Sequence, residues 1–167
     1  MNRAVLALLA ASALSVFLVG SAHAQQAKAT LNQLMRGTLY PASNVIFSAQ
    51  DQNPGDVPKA KDPNMATDLL TSSFGRWEAV ENSALAIAEV ADLLMVPRKC
   101  SNGADVPVMN EDWAKFVQEL RNAGMTAYAA AQTKNQDKMI DVSDVMTNAC
   151  QHCHAKYRDR RPAGRCK

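Results

Sequence analysis

Two of the four cysteines of this chain lie three residues apart near its end, and a histidine directly follows the second. The stretch reads ACQHCHAKYR, residues 149–158. In the C-x-x-C-H spacing, two thiols can add to the two vinyl groups of one haem while the adjacent histidine ligates the iron. In a helix, Cys150 and Cys153 share one turn and His154 lies one turn after Cys150, so all three can address one planar group. The spacing predicts one covalent haem c, with thioethers at Cys150 and Cys153 and His154 as the proximal iron ligand.

Two other uses of a C-x-x-C pair fit this sequence less well. A zinc site needs further ligands, and the only other cysteines are Cys100 and Cys166. A redox dithiol needs a nucleophilic cysteine at the start of a helix, usually beside a βαβ unit, whereas this pair falls late in a predicted helix. His152 points away from His154 on a helix, and we expect it to be a solvent-facing spacer.

The first 24 residues have the features of an export signal. Arg3 precedes an apolar run over residues 4–20, and Ser-Ala-His-Ala at 21–24 ends the run with small residues where a signal peptidase cleaves. The run is short for a membrane-spanning helix, so we expect no stable membrane insertion after cleavage. The sequence predicts a signal peptide over 1–24 and one domain over 25–167, located in the periplasm.

The charge balance argues against a nucleic-acid partner. The chain has 18 Lys and Arg and 16 Asp and Glu, and the leader removes only Arg3, which leaves 17 basic residues against 16 acidic ones. No basic stripe appears before the tail. The remaining length of about 140 residues suits one domain with one core.

Apolar residues recur at helical spacing in four stretches, and no strand-like alternation competes with them. Gly37 and Pro41 interrupt the first stretch, so we expect a kink or short break there. Asn110 or Asp112 can cap the third helix. Short connections indicate an all-α, antiparallel four-helix bundle in up-down-up-down order, with the haem on the last helix. The predicted helices cover residues 28–49, 66–95, 110–133 and from 141 or 143 to before Pro162.

The two remaining cysteines follow the second and fourth helices, which end at the same end of such a bundle. An oxidising compartment favours pairing of thiols. We therefore predict a Cys100–Cys166 disulfide, which would hold the basic tail over the haem end.

The position of the motif resembles that in one family. A C-x-x-C-H in the last helix of an exported four-helix bundle, followed by Tyr157 and Arg158, together with LNQLMR at residues 31–36, is similar to the class II cytochromes c. That family comprises the cytochrome c-prime proteins and their low-spin, Met-ligated relatives. Class I cytochromes c have the reverse order, with the motif early and the methionine late.

The ligand on the other face of the iron separates the two branches. No histidine outside the motif remains after cleavage, so methionine, lysine or no ligand stay open. In the predicted bundle Met35 lies at a height similar to that of His154, and Met95 and Met109 lie at helix ends or in a loop nearby. The resemblance to the Met-ligated branch implies Met35 as distal ligand. A slight rotation of the helix would turn Leu34 to the iron instead and leave it five-coordinate.

The resemblance implies a periplasmic electron carrier with one His/Met-ligated haem. No acid–base pair or nucleophile constellation is visible, so we do not predict an enzyme. Arg36 and Arg158 are candidates for pairing with the haem propionates. The partner would be a redox protein, and family members also form homodimers through their first two helices. The alternatives are a five-coordinate c-prime-like protein that binds NO or CO, and a small subunit that serves a larger oxidoreductase.

Overall fold

The computed structural model describes residues 27–158, so the predicted leader and Cys166 lie outside the described residues. Within this range the chain is helical, with one isolated antiparallel bridge between Lys99 and Asp105. Four helices pack against each other. The first helix is one continuous run in three parts, which are α1 (Leu31–Leu34), a π-helical segment (Met35–Leu39) and α2 (Tyr40–Ser48). The others are α3 (Trp77–Leu94), α4 (Glu111–Gln132) and α5 (Gln136–Tyr157).

The start of the first helix is fixed by a capping box. The Thr30 hydroxyl accepts from the backbone N–H of Gln33 at 3.3 Å, and the Gln33 side chain accepts from the N–H of Thr30 at 2.9 Å. The expected irregularity near Gly37 and Pro41 takes the form of the π-helical segment. There the Tyr40 N–H donates to the carbonyl of Met35, five residues back instead of four.

The second predicted helix starts too early. Residues 66–76 form a short 3₁₀ turn (Leu69–Thr71) and a loop, and α3 begins only at Trp77. The helical spacing of Leu69, Leu70 and Phe74 is misleading because only Leu70 is buried, whereas Phe74 is 69% exposed. Two features prevent a helix here. A Cβ on Gly75 would lie 2.2 Å from the Leu70 carbonyl oxygen, and Arg76 has a positive φ of 59°.

The third and fourth helices, α4 and α5, are each preceded by an asparagine. Of the two predicted caps, Asn110 and Asp112, Asn110 occupies the N-cap position of α4, but its side chain makes no capping hydrogen bond. The fourth helix begins at Gln136, earlier than predicted, because the Asn135 side chain accepts from the N–H of Lys138 at 3.3 Å and caps it. Buried Met139 belongs to this additional first turn.

Hydrogen bonds identify which helix ends are neighbours. The Trp113 indole Nε1–H donates to the carbonyl of Leu94 at 3.2 Å and joins the start of α4 to the end of α3. The backbone N–H of Leu31 donates to the carbonyl of Lys99 at 2.9 Å and joins the start of the first helix to the same place. At the other end, the Gln136 side chain donates to the carbonyl of Ala49 at 3.1 Å.

Arg98 strengthens the junction between the start of the first helix and the end of α3. Its guanidinium donates to the carbonyl oxygens of Ala29 at 3.2 Å, of Val96 at 3.3 Å and of Leu93. Partial burial lowers the pKa of Arg98 through desolvation. The side chain therefore holds two backbone segments together, the one before the first helix and the end of α3, through its fork of donors.

Among the described helices, none combines the length and the apolar composition that crossing a bilayer requires.

Candidate functional site

A cavity of about 800 Å³ lies among all four helices. Its size falls in the range of cofactor and ligand sites, about 300–1,000 Å³. Most of its lining is apolar, and a few polar and charged groups stand at intervals along it. All six residues that the sequence links to the haem line this one cavity, namely Met35, Arg36, Cys150, Cys153, His154 and Arg158.

The motif occupies the last two turns of α5. Cys150 and Cys153 are half-buried free cysteines on the cavity wall. Burial raises the pKa of both thiols, and that of Cys153 reaches about 12 because the acidic groups nearby, including Cys150 and Asp112, add to the desolvation. Both sulfurs are therefore protonated thiols at neutral pH and not nucleophilic thiolates.

The imidazole of His154 favours its neutral form. Desolvation lowers the pKa of its imidazole, and the positive charge of Arg158 lowers it further. The ring makes no hydrogen bond to any other residue in the range 27–158, so its nitrogens are not engaged by protein groups there. A neutral imidazole with a free nitrogen is the form that binds a metal. His152 is exposed, as predicted, and its Nδ1 lies 2.9 Å from Glu119 Oε2.

The first helix contributes Met35 to the cavity and does not contribute Leu34. Leu34 is buried in the core and is absent from the cavity wall. Met95 and Met109 do not line the cavity either, and Met109 is 92% exposed. The rotation of the first helix therefore favours Met35 over the other candidates that the sequence left open.

A second methionine on the wall, Met146, carried no site signal in the sequence. It is fully buried and belongs to α5, eight residues before His154. Eight residues of α-helix correspond to about 12 Å along the axis. Met146 therefore lines the cavity about two turns of α5 away from His154.

An aromatic cluster closes the cavity next to the motif. The Tyr157 ring lies edge-on to Trp113 at 5.0 Å and to Phe116 at 6.2 Å between ring centroids. The Tyr157 hydroxyl donates to Asp112 Oδ1 at 2.8 Å, and Lys156 also binds this carboxylate. These hydrogen bonds, the one from Lys156 first, hold the pKa of Asp112 below its usual value. The sequence assigned the aromatic residues to the core, since nothing in their spacing distinguishes a cavity wall from a packed interior.

Arg36 and Arg158 supply positive charge to the cavity. Both are exposed and form no ion pair within residues 27–158. Two unpaired guanidinium groups beside an apolar cavity suit a ligand that is apolar in its body and anionic at its edge.

The dithiol alternative conflicts with the raised thiol pKa values, and a zinc site would need a ligand such as Cys166 that lies outside the described residues. The described residues contain no group of three or more His, Cys, Asp or Glu side chains that could hold a metal ion. The raised thiol pKa values of Cys150 and Cys153 are the opposite of what a reactive dithiol requires.

The predicted disulfide is not decided by the described residues. Cys100 is buried and is not a free thiol. Its predicted partner, Cys166, lies outside the described residues, so the Cys100–Cys166 pairing stays a prediction.

Comparison with known proteins gives no match: no family model fits the chain, and no curated protein or solved structure resembles it significantly.

Proposed function

We propose that this protein is a periplasmic electron carrier of the class II cytochrome c type, with one haem c bound covalently at Cys150 and Cys153. The observation that carries the proposal is that one cavity collects both thiols, the His154 imidazole and the Met35 thioether. When bound, a haem with His and Met ligands would supply a one-electron couple whose potential the thioether raises.

Each lining group has a task that agrees with this proposal. The cysteines tether the group to α5, and His154 in its neutral form offers a nitrogen to the iron. Met35 offers a thioether from a different helix, so the iron would be held by two elements of a packed fold. Arg36 and Arg158 would neutralise the two propionates, and the apolar remainder of the cavity would exclude water.

The end-to-end hydrogen bonds support the up-down-up-down arrangement that the proposal requires. Trp113 to Leu94 and Leu31 to Lys99 join helix ends beside the cavity, and Gln136 to Ala49 joins the ends farthest from it. In this arrangement the end of the fourth helix and the start of the first lie together, which brings His154 and Met35 to the same level.

The competing function is a five-coordinate haem protein that binds NO or CO. That function requires an apolar residue of the first helix to face the iron in place of a ligand. The sequence named Leu34 for this role, and Leu34 does not line the cavity. Met35 lines it together with Leu31 and Leu39, and Met35 is the only one of these three with an atom that can ligate iron, which supports electron transfer.

Visible absorption spectra of the exported, haem-loaded protein test the proposal. We expect sharp low-spin bands in the reduced form that do not change with carbon monoxide. The Met35→Ala variant should lose these bands and bind carbon monoxide, whereas Met109→Ala, at an exposed position away from the cavity, should leave the spectrum unchanged. A wild-type protein that binds carbon monoxide readily would replace our proposal with the gas-binding one. An exported chain without covalent haem would refute both the electron-carrier and the gas-binding function.

A further inference from the structure

Met35 lies close to the start of the first helix, and few buried side chains hold this part of the helix in place. Leu31 and Leu34 are the buried residues before Met35, and Leu39 is the next one after it. Helix ends fray and open locally more easily than helix interiors. The position of Met35 therefore depends on how the start of the first helix is attached to the rest of the fold.

Two hydrogen bonds attach this start to the segment that follows α3. The backbone N–H of Leu31 donates to the carbonyl of Lys99 at 2.9 Å, and Nη1 of Arg98 donates to the carbonyl of Ala29 at 3.2 Å. The capping box of Thr30 joins only residues of the first helix and its cap to each other. Arg98 thus supplies a side-chain link between the start of the first helix and another element.

The other nitrogens of Arg98 are fixed at the end of α3. Nε donates to the carbonyl of Val96 at 3.3 Å, and Nη2 donates to the carbonyl of Leu93. The last carbonyls of a helix lack regular partners within the helix, and the helix dipole favours a cation beside them. Because the guanidinium is a planar, rigid fork, these two bonds direct Nη1 toward Ala29.

The end of α3 also contacts the element that carries His154. The carbonyl of Leu94 accepts from Nε1 of Trp113 at 3.2 Å, and the Trp113 ring lies edge-on to that of Tyr157 at 5.0 Å between centroids. Tyr157 and His154 share the last turn of α5. The end of α3 is therefore connected to the helix ends of both candidate iron ligands, to one through Trp113 and to the other through Arg98.

We propose that Arg98 is a positioning residue of the site: its bond to the Ala29 carbonyl holds the start of the first helix so that the Met35 thioether stays within reach of an iron bound by His154. This inference rests on the proposed function and goes beyond it, because Arg98 neither lines the cavity nor belongs to the motif. An added ligand competes with the thioether for the iron, so the fraction of molecules with Met35 bound depends on how closely the helix confines this side chain.

Imidazole binding to the ferric, haem-loaded protein measures this confinement. Imidazole can bind only those molecules whose Met35 has left the iron, so its apparent dissociation constant depends on that fraction. Arg98→Met keeps an apolar stem and removes the guanidinium donors. We expect this variant to bind imidazole about tenfold more tightly than the wild type, which corresponds to about 1.4 kcal/mol and to the loss of one hydrogen bond from a charged group.

Arg76→Met is the matched control. Nε of Arg76 donates to the carbonyl of Val57 at 3.0 Å, so this variant also removes a bond from a guanidinium to a backbone carbonyl. Neither Arg76 nor Val57 lines the cavity, and the imidazole affinity should stay at the wild-type value. A wild-type affinity in Arg98→Met would overturn the proposal. An equal gain in both variants would also overturn it, because the gain would then reflect a general loosening of the fold.

Arg98→Lys covers the case in which Arg98→Met does not fold. The lysine keeps a positive charge at the end of α3, but its ammonium lacks the planar fork that reaches three carbonyls at once. We expect a smaller gain in imidazole affinity in the same direction. The absence of any gain in this variant would overturn the proposal.

Amide hydrogen exchange separates a failure of this inference from a failure of the proposed function. If carbon monoxide binds readily to the wild-type iron, Met35 is not a ligand and the proposed function has failed. The attachment of the first helix is then tested by exchange of the Leu31 amide, which donates to the carbonyl of Lys99. Exchange should be faster in Arg98→Met than in the wild type and in Arg76→Met, and equal rates in all three would show that Arg98 does not hold the start of the helix.

Discussion

The backbones of α3 and α4 lie close together at Gly124, and Gly124→Ala should lower the stability of the fold for this reason. A Cβ at this position would lie 2.9 Å from both the carbonyl oxygen of Ala84 and the backbone nitrogen of Ala88. Comfortable contact between heavy atoms requires about 3.5–4.0 Å, so the gap falls short by about 0.6 Å or more. Backbone atoms cannot rotate aside as a side chain does, and the two helices must therefore separate.

The size of the effect follows from two opposing terms. Overpacking of this kind costs about 1–3 kcal/mol, and a clash with backbone belongs toward the upper end. The better helix propensity of alanine offsets about 1 kcal/mol of this. We expect Gly124→Ala to lower the free energy of unfolding by about 1–2 kcal/mol.

Urea unfolding of the exported protein, followed by far-ultraviolet circular dichroism, measures this change. The matched control is Gly37→Ala, where an added methyl group meets no atom within 4 Å. Without a clash, only the propensity term remains, and this variant should be more stable by about 0.5–1 kcal/mol. If Gly124→Ala were as stable as Gly37→Ala, the two helices would not approach each other as closely as described, and the reasoning would be refuted.

Three further predictions concern the motif and its surroundings. The pKa of Asp112 is lowered in the folded state, mainly by the hydrogen bond from Lys156, so its carboxylate stabilises the fold above the ordinary value of 3.8 and this contribution disappears as the pH falls through the folded value. Asp112→Asn should therefore be less stable than wild type in urea at pH 7, and the difference should shrink as the pH falls below 3.8; an unchanged difference at acid pH would contradict this. In the haem-free chain, alkylation of Cys153 at pH 8 should be about 1,000-fold slower than in the urea-unfolded chain, since its pKa of about 12 lies three units above the ordinary 9.0. Equal rates in the two states would show that the thiol is not desolvated. Mass spectrometry of non-reduced peptides should find Cys100 joined to Cys166, and a free thiol at either position would exclude the disulfide.

The sequence predicts the cavity residues better than it predicts the helix boundaries. The motif residues could be predicted to lie together because two thiols and a histidine at this spacing share neighbouring turns of one helix, and all three line the cavity. The start of α5 was misplaced because Gln136, Asp137 and Lys138 are polar and show no apolar periodicity, although they form a solvent-facing first turn. Asn135 was the available signal, since its side chain caps that turn.

The predicted start of α3 was wrong for the opposite reason. Leu69, Leu70 and Phe74 have helical spacing, and the apolar pattern alone gives no warning of a loop. Gly75 was the signal. Only a residue without a Cβ can approach the Leu70 carbonyl oxygen so closely, and this approach is incompatible with a helix that runs through residue 75. A pattern of apolar residues predicts which side chains could be buried. Whether a helix is interrupted depends on backbone sterics, about which the pattern says nothing.

The π-helical segment shows a third kind of limit. Gly37 and Pro41 indicated an irregularity, but they did not say whether it would be a kink, a break or a wide turn. The outcome depends on which register lets both halves of the helix bury their apolar residues at once. That is a property of the neighbouring helices and not of this segment alone.

The positions of the helix ends determine where a fused group, a fluorophore or a surface anchor can be attached without obstructing the cavity. The described chain enters near Ala29 and leaves at Arg158, and both of these points lie at the cavity end, where Leu31 and Arg158 belong to the lining. A group joined directly to Ala29 or Arg158 would therefore lie beside the entrance of the cavity. The link over residues 133–135 lies at the opposite end, next to the contact between Gln136 and Ala49. A surface anchor or fluorophore placed in that link would leave the cavity facing outward, which is the orientation that an immobilised binding assay needs.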